Sequence, residues 1–362
     1  MKKLFLVIWL LSSSYSYSQE LMNFYVEPNG NPNSVTLHTK VFYFNVANYI
    51  GFQENITDNI ITLSLCYFPT IFTIPTFDNK DFEITLPTGY TNYIININLY
   101  GDNVTPCPVS NLIDSGSVNF DFPYNPTETT NVPDNNFEAL LEDLGFGDDI
   151  PNNALVFTHR IRNIQRFFLN NQEIPINRPV ADVTGLEDFV GLRYFDCRDN
   201  LISILDVSNS PELVELTAGD NTYSVLDLSQ NPNLINLVCS SLTLSTLNLD
   251  NNVLLESLLV GGNFLSSLNL SNNVNLKNLR LRGTGQFNTV DLSQNTLLEY
   301  IDITSTPLTT LDLSNNLNLE IFDAQFNELT SINFSGLTNL VELRCQASHL
   351  INLDLSTNSN LS

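Results

Sequence analysis

At 362 residues the chain is too long for one ordinary core, so several domains or a repeat array are expected. Its net charge of −25, from 39 acidic against 14 basic residues, repels phosphate backbones and excludes a generic nucleic-acid binder, and it disfavours anionic membrane surfaces equally. Hydrophobic residues reach 43% and charged residues only 15%, so Asn, Ser and Thr fill the polar positions of a mainly β, loop-rich chain.

In chain order the first predicted element is an export signal, residues 1–18. Met1-Lys2-Lys3 is a basic n-region, Leu4 to Leu11 an apolar h-region, and Ser16 and Ser18 a small-residue cleavage pair before Gln19. This apolar run falls well short of the ~20 residues that cross a bilayer, and no membrane span is expected in the mature chain. Loss of Lys2 and Lys3 takes the charge from −25 to −27. The expected location is extracellular or the outer cell surface, with the periplasm as the alternative.

Residues 19–122 alternate with period two. Ile61, Leu63 and Leu65 share one strand face, as do Phe82, Ile84 and Leu86; Tyr93, Ile95, Ile97 and Leu99; and Val118, Phe120 and Phe122. Turn residues separate the runs, and about seven short strands in this length suggest an immunoglobulin- or fibronectin-like β-sandwich. Cys66 and Cys107 are its two cysteines; an exported domain permits a disulfide between them, and two free thiols are the alternative. His38 has no ligand partners at useful spacing.

Residues 123–132, with Pro123, Pro126 and a Thr-rich run, read as a linker, and 133–191 as a helical N-terminal cap and entry to repeats. Asp134 is placed to N-cap a helix, Glu138 to favour its positive end and Gly145 to follow it, while Phe137, Leu140, Leu141 and Leu144 form one apolar stripe. Asp148-Asp149 lacks the alternating oxygen spacing of a calcium loop and reads as a solvated turn.

From Leu192 to the end of the sequence, leucines 192, 213, 234, 255, 276, 298, 319, 340 and 361 recur every 21 residues, with one gap of 22. Each unit has a first half such as Leu192-Arg-Tyr-Phe-Asp-Cys197-Arg-Asp-Asn200. Its second half reads as Leu308-Thr-Thr-Leu311-Asp-Leu313-Ser-Asn-Asn316. The pattern resembles the leucine-rich repeat, and cysteine at the sixth position (Cys197, Cys239, Cys345) resembles the cysteine-containing internalin-type repeats of bacterial surface proteins. The stretch before the repeats is similar to the cap in large exported proteins of Gram-negative bacteria. That resemblance implies a C-terminal sorting region, whereas the sequence stops just inside a new unit, so an open C-terminal end is expected. Physics agrees with the resemblance: each rung leaves an apolar face bare until the next covers it, so stability accumulates by stacking. Asn at the ninth position (Asn200, Asn221, Asn263, Asn327) is expected to bond backbone groups. The ladder lapses at Leu242, Thr284, Thr306 and Ser348.

An acidic and amide column (Asp206, Asp227, Asn248, Asn269, Asp291, Asp312, Asn333, Asp354) invites a calcium reading, but turn formation explains it better. Asn269-Leu-Ser271 and Asn333-Phe-Ser335 match the glycosylation sequon, which the repeat consensus generates by itself. No motif for a nucleophile, a metal or a phosphate is present, so no catalytic, cofactor-binding or metal-ligating residue is assigned and a non-enzyme is expected. Outward positions carry four of the six basic residues of the repeats: Arg198, Arg280, Arg282 and Arg344. With Tyr194, Tyr300 and Asp302 they are the candidate ligand face, centred on Arg280, Arg282 and Tyr300, and local charge balance with Asp302 is the alternative. The expected function is a secreted or cell-surface recognition or adhesion protein that binds an extracellular protein or glycan, without a cofactor. The alternative is a non-catalytic spacer or targeting portion of a larger exported protein.

Overall fold

The computed structural model describes strand segments between residues 20 and 121, and residues 127–169, 179–241, 243–283 and 286–361. The proposed signal, Cys107 and the Cys66 side chain lie outside the described residues. The chain divides into two compact units, one of residues 1–128 with 157–165, the other of 129–156 with 166–362.

The first unit holds seven strands in two sheets. Antiparallel β1 (Glu20–Pro28), β2 (Ser34–Tyr43) and β5 (Thr76–Thr85) form one, and β3 (Ala47–Thr57), β4 (Ile60–Pro69), β6 (Asn92–Gly101) and β7 (Leu112–Asp121) the other. The period-two runs lie side by side in register, with Ile61 opposite Ile95 and Ile95 opposite Val118, so each run adds to one continuous face. Leu37, Phe82 and Ile84 are buried. β4 and β6 pair in parallel, a departure from a wholly antiparallel arrangement, and the chain crosses between them through β5 of the other sheet. Residues 157–165 add a short helix α2 (Thr158–Ile161).

In the second unit β8 (Thr129–Asn131) leads to helix α1 (Asn135–Asp143), followed by β9 (Leu155–Phe157). Asp134 caps α1: its Oδ1 accepts from the backbone N–H of Asn136 (2.9 Å) and Phe137 (3.1 Å). At the other end Phe146 N–H reaches Leu141 O (2.8 Å) and Gly145 N–H reaches Glu142 O (2.9 Å), with Gly145 at φ +79°, a pair of bonds that closes the helix. Asp148 forms a turn in which its own and Asp149's N–H bond the Glu142 carboxylate, at 2.8 and 3.2 Å.

The rest is a solenoid of parallel strands stacked on the 21-residue leucine period. Nine parallel strands stack as β10 (Arg166–Phe168), β11 (Tyr194–Asp196), β12 (Glu215–Thr217), β14 (Asn236–Val238), β16 (Ser257–Leu259), β17 (Asn278–Arg280), β18 (Tyr300–Asp302), β19 (Ile321–Asp323) and β20 (Glu342–Arg344). Two second-half strands, β13 (Val225–Leu226) and β15 (Thr246–Leu247), pair beside them. The inward leucines 192, 213, 234, 255, 276, 298, 319 and 340 are fully buried, and each such side chain contributes about 1.5–3 kcal/mol. In the sequence the extra residue of the 22-residue unit falls between Leu281 and Phe287, and Asn278 still pairs with Tyr300.

The first rung precedes the one legible in the sequence. Strand β10 pairs Phe167 with Phe195, and the rings of Phe137, Phe167 and Phe189 cluster with centroids 5.1 to 6.2 Å apart. Ile164-x-x-Phe167-x-Leu169 is a divergent first half, hidden by Ile164 in place of the leading Leu and by a distance of 28 residues to Leu192.

Candidate recognition surface

Strand alternation turns the third, fifth and seventh residues of each first half to the same side of the long sheet. The parallel register then builds columns. Asn278, Tyr300, Ile321 and Glu342 are neighbours in one; Arg280, Asp302, Asp323 and Arg344 are neighbours in the next. The second column thus sets two adjacent aspartates, Asp302 and Asp323, between Arg280 and Arg344.

Arg282 Nε donates to Asp302 Oδ2, which the Tyr300 hydroxyl also approaches at 3.4 Å. Thr304 N–H bonds Asp302 Oδ1 at 3.0 Å. The Arg280 guanidinium stands over the Tyr300 ring, 4.7 Å from its centroid. One rung on, Asp323 accepts from Thr304 Oγ1 (3.1 Å), Gln325 Nε2 (3.0 Å) and Arg344 Nη1 (3.2 Å), and Arg344 Nη2 reaches Glu342 Oε1 at 2.6 Å. Arg282 and Arg344 thus pair with three carboxylates, while Arg280 stacks on the Tyr300 ring beside them.

Positions read as outward are in part covered by their own neighbours. Asp302 is 0% exposed, Asp323 2% and Arg280 8%, whereas the Arg282 side chain is 53% exposed. Burial, and then the charge of Asp302, raise the Tyr300 hydroxyl above its ordinary pKa. The arrangement holds a half-exposed guanidinium over a buried carboxylate and fixes where its N–H donors point.

The other candidate residues lie at the first rungs. Arg198 Nε bonds Asp196 Oδ2 at 2.9 Å, and Tyr194 carries the Arg166 guanidinium 3.9 Å from its ring centroid. The structure therefore groups Arg280, Arg282, Tyr300 and Asp302, joins Arg344 to them through Asp323, and sets Tyr194 and Arg198 apart with Arg166. The repeat period assigns Asp323 to the outward face without marking it as a candidate, and Arg166 lies before the legible repeats. Asp323 occupies the position of Asp302 one rung on, a signal available from the period alone.

The acidic and amide column forms turns. Each member accepts a backbone N–H two residues on, as in Ser229 N to Asp227 Oδ1 and Ser314 N to Asp312 Oδ1, both 2.9 Å. These N–H groups, then the serine hydroxyls, hold Asp227, Asp291, Asp312 and Asp354 below the usual carboxylate range. Among the described residues no group of three or more His, Cys, Asp or Glu side chains is arranged to hold a metal ion.

The ninth-position ladder requires one correction. At two of the expected breaks a hydroxyl takes the place of the amide: Thr306 Oγ1 donates to Ile303 O (2.8 Å) and Ser348 Oγ to Cys345 O (2.7 Å), the sixth-position carbonyl that Asn200 reaches at Cys197. Leu242 and Thr284 lie outside the described residues. A second ladder, Asn231, Asn252, Asn273, Asn295, Asn316 and Asn358, is buried, and each Nδ2 donates to two carbonyls of the preceding rung. Cys197 and Cys239 are free and fully buried, and Cys345 is free and half-buried. Burial pushes the Cys239 thiol up to about 12 and raises Cys197 further.

No protein-family model matches the chain, and no curated protein matches it. Similar solved structures include the functional domain of InlJ from Listeria monocytogenes, which includes a cysteine ladder: 23% identity, TM-score 0.47, covering 66% of this chain and 61% of that one. Internalin C2 from Listeria monocytogenes is 18% identical over 66% of this chain and 97% of its own, with TM-score 0.46. A leucine-rich-repeat protein of Leptospira interrogans is 18% identical over 51% and 63%, with TM-score 0.35. The chain thus spans less than two thirds of the InlJ domain and nearly all of internalin C2.

Proposed function

We propose that this is a secreted or cell-surface recognition protein whose repeat sheet binds an extracellular partner, a protein in the first instance, through the face centred on Arg280, Arg282 and Tyr300. The observation that carries the reading is the arginine–carboxylate ladder. Arg and Tyr are the residues enriched where interfaces concentrate their energy. Ion pairing has already fixed the Arg282 donors, so less side-chain entropy is lost when a partner docks. In this reading residues 1–18 direct export, and the two sheets of the first unit pack as an immunoglobulin- or fibronectin-like sandwich. Helix α1 covers the first edge of the solenoid, a role supported by the Phe137 ring against Phe167 and Phe189.

Saturable binding of the mature chain to extracellular protein extracts tests the proposal. Arg280→Ala/Arg282→Ala is expected to weaken that binding at least tenfold at temperatures where the variant remains folded. Unaltered binding removes the ladder as the site, and binding retained by residues 19–122 alone moves the function to the first unit.

A further inference from the structure

The second halves of the repeat form a different surface. Two open troughs of about 440 and 490 Å³ lie along it, the first from Val225 to Asn269 and the second from Thr289 to Asn333. Both are built from the same repeat positions, three rungs apart, so the trough is a property of the repeat. Its rim carries a column of hydroxyls at one position per rung: Thr246, Ser267, Thr289, Thr310 and Ser331. All five are exposed, and among the described residues none of their hydroxyls has a protein partner. The floor is apolar, supplied by Leu226, Leu247, Val290 and Leu311.

We propose that this trough is a second binding surface, for an uncharged linear polysaccharide. Three features select that class. Hydroxyls both donate and accept, which matches a ligand made of hydroxyls and suits a fixed-polarity ligand poorly. No Lys, Arg or His lines either trough, while Asp227, Asp250, Asp291 and Asp312 do, so anionic polymers are repelled. Those carboxylates do not define a cation site, because Asp227, Asp291 and Asp312 already accept the turn N–H groups. The apolar floor offers contact to the C–H faces of sugar rings, the usual division of labour in a ligand cleft. A linear polymer is favoured because the free hydroxyls recur at about the 4.8 Å strand spacing. Weak contacts on successive rungs then add through multivalency.

Affinity electrophoresis of the mature protein through gels containing hydroxyethyl cellulose, galactomannan or laminarin, with polygalacturonate as the anionic control, tests the proposal. The expected result is retardation by at least one neutral polymer and none by polygalacturonate. Thr246→Val/Thr310→Val removes two hydroxyls at exposed positions that tolerate β-branched residues, and it should weaken the retardation at least tenfold. Thr246→Ser/Thr310→Ser should restore it. Asp291→Asn/Asp312→Asn should leave it within twofold, since Asn248, Asn269 and Asn333 occupy the same position naturally. Arg280→Ala/Arg282→Ala, which disables the sheet face, should not affect it. Absence of retardation by all three neutral polymers overturns the proposal. So does retardation that survives the valine pair, or that the Asp→Asn pair abolishes, which would place the contact on the carboxylates and not on the hydroxyl column.

Discussion

Asp302 is a fully buried carboxylate on a sheet face that alternation alone assigns to solvent. It keeps its charge company with Arg282, the Tyr300 hydroxyl and the Thr304 N–H, and those contacts rather than any core packing explain its burial. The sequence by itself predicts that Arg280→Ala/Arg282→Ala leaves unfolding nearly unchanged; the burial of Asp302 revises that. Removing Arg282 leaves a buried carboxylate without its cation. The expected loss is about 1–2 kcal/mol, below the ~3–5 kcal/mol of a fully buried pair because Arg282 is half exposed. Chemical denaturation of the single Arg282→Ala variant measures it, and a midpoint equal to wild type contradicts the ladder. The thiols give a second prediction. Cys197 and Cys239 should resist alkylation in the folded protein and react only on unfolding, whereas the half-buried Cys345 reacts first. Peptide mapping after timed alkylation separates the three, and early modification of Cys239 contradicts the stacking register. Period-two alternation was enough to place Arg280, Arg282, Tyr300 and Asp302 on one face. Their burial was not legible, because it depends on contacts with residues 20 or more positions away along the chain, such as Arg344 with Asp323.

Buried amides tie successive elements together by adding a second hydrogen bond to carbonyls that already accept a turn N–H, such as Leu270 O from Asn273 N–H. Asn295 illustrates the second ladder: its Nδ2 donates to Leu270 O at 3.0 Å and Asn273 O at 2.9 Å. Asn295→Ala removes this second bond and leaves both carbonyls their turn N–H donors, so it should cost about 1–2 kcal/mol, read from the denaturation midpoint. A change below about 0.5 kcal/mol would mean that the ladder is not a structural support. The exposed turns respond to acid. Asp227, Asp291, Asp312 and Asp354 have folded pKa values below the unfolded value of about 3.9, so the folded chain binds fewer protons at these positions. Their stabilisation is complete above the unfolded pKa and is lost as pH falls through the depressed folded values. Replacing all four by Asn, which keeps the turn acceptor, should flatten the fall of the thermal midpoint as the pH drops below the unfolded pKa of about 3.9. Parallel curves for variant and wild type refute the assignment. The Leu period made these elements visible in the sequence, whereas the substitution of Thr306 and Ser348 hydroxyls for Asn amides was hidden, because residue identity changes while the hydrogen bond does not.

At the scale of the whole molecule, one repeating unit generates two dissimilar surfaces: a sheet face locked by charge pairs and a hydroxyl-rimmed trough on the second halves. The stack begins on aromatic residues, with Phe137 and Phe167 fully or nearly fully buried between α1 and the first rungs. The first rung is hidden in the sequence because Ile164 stands where later units carry Leu and 28 residues separate it from Leu192. Export remains a separate claim with its own measurement: N-terminal sequencing of secreted protein should begin at Gln19, and a retained Met1 removes both signal and location. The central claim is recognition through the sheet face, and the direct measurement is the binding isotherm of the mature chain on extracellular protein extracts, wild type beside Arg280→Ala/Arg282→Ala. A saturable isotherm whose midpoint moves at least tenfold in the variant is the predicted result. Isotherms that coincide while both proteins are folded contradict it.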